Sequence, residues 1–424
     1  MNRRLIALLL VSFAALTACG RVSATHPAAG GYRIFLMEGF NGGSERITVR
    51  DSGTGALERQ LSIGTPAPDW SRYYTVTPLA SSARLSALDP ASGQTIAEFT
   101  IPTGFTLPML GFQGPSAGLS PNGKWLALTD SGRATTGKLV TSFLVGPSSL
   151  SSSFKTVRVD GDFAFDALSD NGQNLYLIQR MGDPNHYQVR LLDVPSGTLV
   201  EHPVVDKREP GEPMNGIRGD SVVDSLGQYA FTVYAREAGP FIHALPLDQS
   251  FAWCIDLPAR SASDMEEQFH WSLAFNQTRS ILYAVNSSSG RVAEIDPASL
   301  PKVGRTAQLA MNPGGNLLAN LITEADAKGA RIGGAAISAD GRTLFALGNT
   351  GIFAIDTATL KIRARILDGQ ETVDSIRLSS DGKWLYAAGA GSSKVWQINP
   401  MTGAISGEIA GATNPWALLW ASPK

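Results

Sequence analysis

Few residues of this 424-residue chain are spaced as catalytic or metal-binding groups are. Gly114-Pro-Ser-Ala-Gly118 matches G-x-S-x-G, which exposes a serine nucleophile only on a sharp strand-to-helix turn. No helix-period stretch follows it, so it reads as small side chains in a crowded strand, as does Gly333-Gly-Ala-Ala336. The histidines are His26, His186, His202, His243 and His270. None is paired at ligand spacing, whereas zinc needs three or four convergent ligands. Asp160-Gly-Asp162 with Asp166 is a sparse calcium candidate, short of the ligand density of a dedicated loop. No Cys-x-x-Cys-His run is present for covalent haem. The expectation is no metal, no cofactor and no assigned catalytic residue.

What remains is charge gathered in two connecting segments. One holds Asp206-Lys-Arg-Glu209 with Glu212, Arg218 and Asp220; the other holds Asp264-Met-Glu-Glu267 with His270 and Trp271. Such runs form solvated ion pairs of small value unless the fold makes them converge. Solvated loop charges are the default reading here; a ligand site is the alternative, because these residues stand just before strands that begin at one opening. Arg218, Asp220, His270, Trp271 and Asp374 are accordingly the candidate ligand-binding residues.

The elements that would position them are repeats. Gly 44 and Pro 24 make up 16% of the chain, against an average near 12%, which implies many tight turns and short strands. One turn signature recurs as Ser120-Pro-Asn-Gly-Lys-Trp-Leu126, Ser169-Asp-Asn-Gly-Gln-Asn-Leu175, Ser338-Ala-Asp-Gly-Arg-Thr-Leu344 and Ser379-Ser-Asp-Gly-Lys-Trp-Leu385. Its central Asn-Gly or Asp-Gly supplies the positive φ of a tight hairpin. A second recurs as Asp51-Ser-Gly-Thr-Gly55, Asp89-Pro-Ala-Ser-Gly93, Asp193-Val-Pro-Ser-Gly197, Asp356-Thr-Ala-Thr-Leu360 and Asn399-Pro-Met-Thr-Gly403. Its first side chain can hold backbone N–H groups two or three residues on. Counting worn copies, the second signature marks eight units. Four-stranded units repeated radially make an all-β fold, the β-propeller. Eight blades are expected, or seven if one worn unit is not a blade. The first unit, at Tyr32, lacks an innermost strand, and Asn414-Pro-Trp-Ala-Leu-Leu-Trp420 supplies one, so the C-terminal strand should complete the first blade. The two signatures lie on one rim. The long connections then share the opposite rim, where binding is expected.

Ile281-Leu-Tyr-Ala-Val-Asn286 followed by Ser287-Ser-Ser-Gly-Arg-Val-Ala-Glu-Ile-Asp296 resembles the YVTN repeat. The resemblance is to the lactonase-like and surface-layer propellers, which share their plan with WD40 propellers. It implies the fold and leaves function open, since propellers host many activities. Quinoprotein propellers have a similar Asp-x-x-Thr-Gly turn but add a tryptophan soon after it. The residues after Gly93, Gly197 and Gly403 include none, which argues against a quinone.

The N-terminus is organised for export. Arg3 and Arg4 precede an apolar run of 12 residues, too short to span a membrane core of ~30 Å. Leu16-Thr17-Ala18-Cys19-Gly20 resembles the lipobox of bacterial lipoproteins, which implies cleavage before Cys19 and acylation of its sulfur. Residues 1–18 are thus expected to be a signal peptide, 19–31 an acylated cysteine with a flexible tether, and 32–424 one propeller domain. Without residues 1–18 the chain has 33 basic and 37 acidic groups, a balance unsuited to nucleic acid. Cys254 has no partner left and reads as an inert thiol. The expected protein is a lipid-anchored, extracytoplasmic, non-catalytic binding or scaffold module of the bacterial envelope. It would sit on the outer membrane where two membranes exist, Gly20 fitting that sorting pattern. Its partners would be the membrane, through Cys19, and an envelope protein or polysaccharide. The alternative is a lactonase-like hydrolase working at the axial mouth.

Overall fold

The computed structural model describes residues 28–39, 45–109, 117–130, 139–182, 186–206, 214–259, 261, 264–298, 300–311, 334–348, 350–369, 373–389 and 391–424. The signal, Cys19 and most of the expected tether lie outside them. Among these residues there are eight antiparallel sheets and one short helix, α1 (Met265–Gln268). No helix among them is long and apolar enough to cross a membrane.

Strands are numbered in chain order and given from the axis outward. Blade 1 is β31 (Pro415–Pro423), β1 (Tyr32–Glu38), β2 (Arg46–Asp51) and β3 (Leu57–Leu61). Blade 2 is β4 (Thr65–Pro66), β5 (Tyr73–Pro78), β6 (Ala83–Leu88) and β7 (Thr95–Ile101). Blade 3 has β8 (Trp125–Asp130), β9 (Val140–Pro147) and β10 (Lys155–Asp160), its innermost position reduced to a bridge between Leu119 and Leu126. Blade 4 is β11 (Phe163–Leu168), β12 (Asn174–Arg180), β13 (Tyr187–Asp193) and β14 (Thr198–Leu199). Blade 5 is β15 (Ile217–Val223), β16 (Tyr229–Ala235), β17 (Phe241–Pro246) and β18 (Trp253–Asp256). Blade 6 is β19 (Trp271–Asn276), β20 (Ile281–Asn286), β21 (Arg291–Asp296) and β22 (Lys302–Gln308). Blade 7 is β23 (Ala335–Ile337), β24 (Thr343–Leu347), β25 (Ile352–Asp356) and β26 (Lys361–Ile366). Blade 8 is β27 (Ser375–Leu378), β28 (Leu385–Ala388), β29 (Lys394–Ile398) and β30 (Ile405–Ala410).

The repeats are thus eight blades, and both turn signatures work as their side chains require. Ser120 Oγ donates to Asn122 Oδ1 and accepts from Trp125 N, while Asn122 Oδ1 accepts from Lys124 N. Ser169, Ser338 and Ser379 repeat the pattern with Asn171, Asp340 and Asp381. In the outer turns Asp89 and Asp193 accept from backbone N–H groups two or three residues on, at 2.7 and 2.6 Å. The glycine of the inner turn has a second duty. Gly172 has φ +70°, and a Cβ there would lie 2.2 Å from the Trp125 ring of the preceding blade.

The apolar core lies between sheets. Eight buried clusters among the described residues each join one blade to the next; Phe231, Ile242 and Ile255 of blade 5, for example, pack on Leu273, Leu282 and Ile295 of blade 6. The ring closes as the sequence implies, with β31 pairing along β1. Lys424 N donates to Gly31 O at 2.8 Å, and the Lys424 ammonium contacts Asp51 and Glu58. Trp420 stacks on Trp70 of blade 2 with centroids 5.7 Å apart.

One expectation is corrected at the N-terminus. The end of the expected tether, residues 28–31, belongs to the folded body. Ala28 is buried against blades 1 and 8, and Ala29 N donates to Gln397 Oε1 at 2.6 Å. Ser52 Oγ donates to Ala29 O at 2.9 Å. The segment is held because its backbone groups find buried partners at the seam.

Two outcomes test this account. Deleting residues 415–424 strips the first blade of its innermost strand and exposes an unpaired edge; loss of the cooperative thermal transition, with aggregation, is expected by calorimetry and light scattering. Gly172→Ala combines a left-handed backbone with a clash and should cost about 2 kcal/mol or more in denaturant titration.

Candidate functional site

Eight innermost strands leave little room at an axis, and their residues are mostly small or apolar. Among the described residues of these strands only four are charged: Asp166 on β11, Arg218 and Asp220 on β15, and Arg377 on β27. Two of the three strands carry irregularities at these residues. The β11–β12 register shifts between Phe165 and Ala167, leaving Asp166 unpaired in the ladder. The β15–β16 register shifts between Arg218 and Ser221, freeing Gly219 and Asp220. Bulges of this kind re-aim a side chain that regular alternation would press into a neighbouring sheet.

Arg218 Nη1 pairs with Asp166 across the blade 4–blade 5 interface, and both side chains are largely buried. Burial penalises the guanidinium charge, but the Asp166 carboxylate outweighs it and holds Arg218 above its ordinary pKa. The phenols of Tyr187 and Tyr234 lie in the same interface, and burial pushes both up. His243, packed edge-on against Tyr234, is lowered to about 4 by burial and is neutral at physiological pH.

Asp220 is differently placed. Its Oδ2 accepts from Leu273 N of blade 6 at 2.7 Å, and its Oδ1 from Ser221 N at 2.9 Å. Burial raises its pKa to about 6, against the opposing pull of those N–H groups, Arg377 and Arg218. Arg377 in turn is lowered by burial, with Asp220 opposing. Blades 5 and 8 stand three places apart in the ring, so side chains that feel each other must reach across the axis. Both residues keep part of their surface open, which places them in an axial lumen.

The residues singled out from sequence do not form one opening. Arg218 and Asp220 lie within an innermost strand, two residues apart. Trp271, 2% exposed, packs in the core between blades 5 and 6 and is unavailable to a ligand arriving from solvent. His270 and Asp374 are buried directly before β19 and β27, at the rim of long connections. Of the sparse calcium set, Asp162 pairs with Arg180 at 3.0 Å and Asp166 with Arg218. No three His, Cys, Asp or Glu side chains converge among the described residues. Ser116 lies outside them. Cys254 is half-buried, its N–H donating to Asp206 at 2.7 Å. Sequence reasoning missed Arg377; the available signal was a long charged residue inside Ser375-Ile-Arg-Leu378, an otherwise short-chained or apolar inner strand.

No protein-family model matches the sequence, and no curated protein does. Solved structures do resemble it. Dihydro-heme d1 dehydrogenase NirN, in complex with DHE, is 12% identical with a TM-score of 0.52, covering 92% of this chain and 75% of its own. AztD from Citrobacter koseri, in its apo form, is 14% identical with a TM-score of 0.48, covering 93% of this chain and 100% of its own. The Pseudomonas aeruginosa periplasmic gluconolactonase PpgL is 18% identical with a TM-score of 0.43, covering 82% and 98%. The likeness is one of fold. It carries no residue of those sites into this chain.

Two substitutions check the electrostatics. Arg218→Met strands a buried carboxylate and should cost about 3 kcal/mol in urea unfolding, with much of the loss recovered in Arg218→Met/Asp166→Leu. Asp220 has a raised folded pKa, so its charge is a penalty that is absent below the unfolded value of 3.8 and complete above about 6. Asp220→Asn should therefore gain stability relative to the wild type as pH rises from 4 to 7, by about 1–2 kcal/mol after solvent screening in the lumen. A difference that is flat across that window would put Asp220 in ordinary solvent.

Proposed function

We propose that this propeller is a lipid-anchored, extracytoplasmic binding module that recognises an envelope protein or polysaccharide through the rim bearing its long connections. The observation behind this reading is the segregation of its loops. The first-to-second and third-to-fourth strand turns are short, formulaic and closed on their own side chains. The second-to-third and blade-to-blade connections all meet the opposite rim. Four exposed apolar side chains stand on that rim in adjacent blades: Leu79, Met109, Leu139 and Met181. The lipobox at Cys19 supplies the anchor. Capture from native envelope with the acylated protein tests the rim: Met109→Ser/Met181→Ser should lose partner recovery, and undiminished recovery would refute this choice of surface. Cys19→Ala should abolish palmitate labelling and move the protein to the soluble fraction.

A hydrolase of the lactonase kind is the second reading, favoured by one observation. Asp220, with a carboxyl pKa raised to about 6, stands near Arg377 and Arg218, as a proton acceptor would. A lactone panel assayed with the wild type and Asp220→Asn decides it, a loss of about 100-fold or more in kcat being the supporting result.

A further inference from the structure

The four charged residues of the innermost strands are not two equivalent pairs. Arg218 and Asp166 pair directly. Arg377 and Asp220 form no ion pair, although no other charge of the inner strands is left for either. The Asp220 oxygens take backbone N–H groups from β15 and β19. The one hydrogen bond of the Arg377 guanidinium is a long one, from Nε to Leu418 O at 3.4 Å. Its two terminal nitrogens have no hydrogen-bond partner among the described residues. A guanidinium edge with both terminal nitrogens open is shaped for a carboxylate, which it can hold through two parallel hydrogen bonds. The facing carboxylate of Asp220 has lone pairs left for a cationic donor.

We propose that the axial lumen binds a small zwitterion of the amino-acid class, its carboxylate on Arg377 and its ammonium on Asp220. Asp220 is flanked by small residues, Gly219 and Ser221 on its own strand, and its partner strand β19 brings the buried Ser272 and no charge, so recognition falls to the two charged groups. The charged groups that Asp220 feels are Arg377 from β27 and Arg218 from its own strand, the latter paired with Asp166; β19, packed against it, contributes none. The raised carboxyl and lowered guanidinium pKa values fit a pair held apart with its complement missing. This inference gives a ligand class to the axial end of the binding rim proposed above, and so rests on that reading.

Calorimetry with the unbranched ω-amino acids from glycine to 6-aminohexanoate tests it, with pentanoate and pentylamine as single-ended controls. One member of the series should bind at least about tenfold more tightly than either control, the worth of one charge-assisted hydrogen-bonded contact. Arg377→Met should remove binding of both the amino acid and pentanoate. Asp220→Asn should weaken the amino acid and leave pentanoate unchanged. In the wild-type protein at pH 6, an ammonium on Asp220 releases protons, so the binding enthalpy should differ between phosphate and Tris-type buffers. That readout needs no variant to fold. Absence of binding by the whole series at about 10 mM, or binding indifferent to both substitutions, overturns the proposal. Envelope capture that depends on Met109 and Met181, in a protein that binds no amino acid, would sink this inference and leave the rim reading standing.

Discussion

No blade of this protein holds its own core. Each sheet is one layer thick, and the apolar side chains on either face are covered only by the sheets before and after it. The eight clusters at the blade interfaces are therefore a circular chain of dependencies, and a ring is the arrangement that leaves no sheet face bare. This constraint explains why small features recur so faithfully. The Gly172 turn must admit the Trp125 ring, and Gly341, with φ +70°, sits against the Asn276 amide in the same way. A side chain at either place would hold two blades apart. The closing strand β31 answers the same demand, because without it the interfaces on both sides of blade 1 would be incomplete.

Much of this was legible in the sequence. The Ser–Asx–Gly turns and Asx-led outer turns are local motifs, fixed by hydrogen bonds between residues two to five apart, so they survive in sequence as text. Closure was legible because Asn414 to Trp420 is a strand without a partner in its own repeat. The site was not legible to the same degree. Which inner-strand residues meet depends on bulges at Asp166 and Asp220 and on reach across the axis from blade 8, and neither is local. Trp271 and His270 have the chemical character of site residues next to a strand start, but packing between blades buries both. Arg377, a single residue in a four-residue strand, carries no motif at all. The docked residues 28–31 carry no sequence signal because they are small and aperiodic, and their partners Ser52 and Gln397 lie far away in sequence.

The interior charges show how a narrow β ring tolerates ions. Bringing a carboxylate and a guanidinium into a sheet interface is costly unless each is matched. At the blade 4–blade 5 interface the two charges pair directly, although Arg218 Nε stays without a hydrogen-bond partner among the described residues, and His243 stays neutral. In the lumen the match is left open, with backbone N–H groups steadying Asp220 and little steadying Arg377. The contrast separates a structural pair from one with unspent bonding capacity, and the two share strand β15, where Arg218 and Asp220 stand two residues apart.

The pinned segment at residues 28–31 also sets a direction. Its partners, Ser52 and Gln397, belong to the edge of the disc where the compact hairpins gather. Any upstream chain departs from that edge, beside the C-terminal lysine. Both ends of the described chain thus leave the folded body at the rim of compact hairpins, and the rim of long connections is kept clear of either.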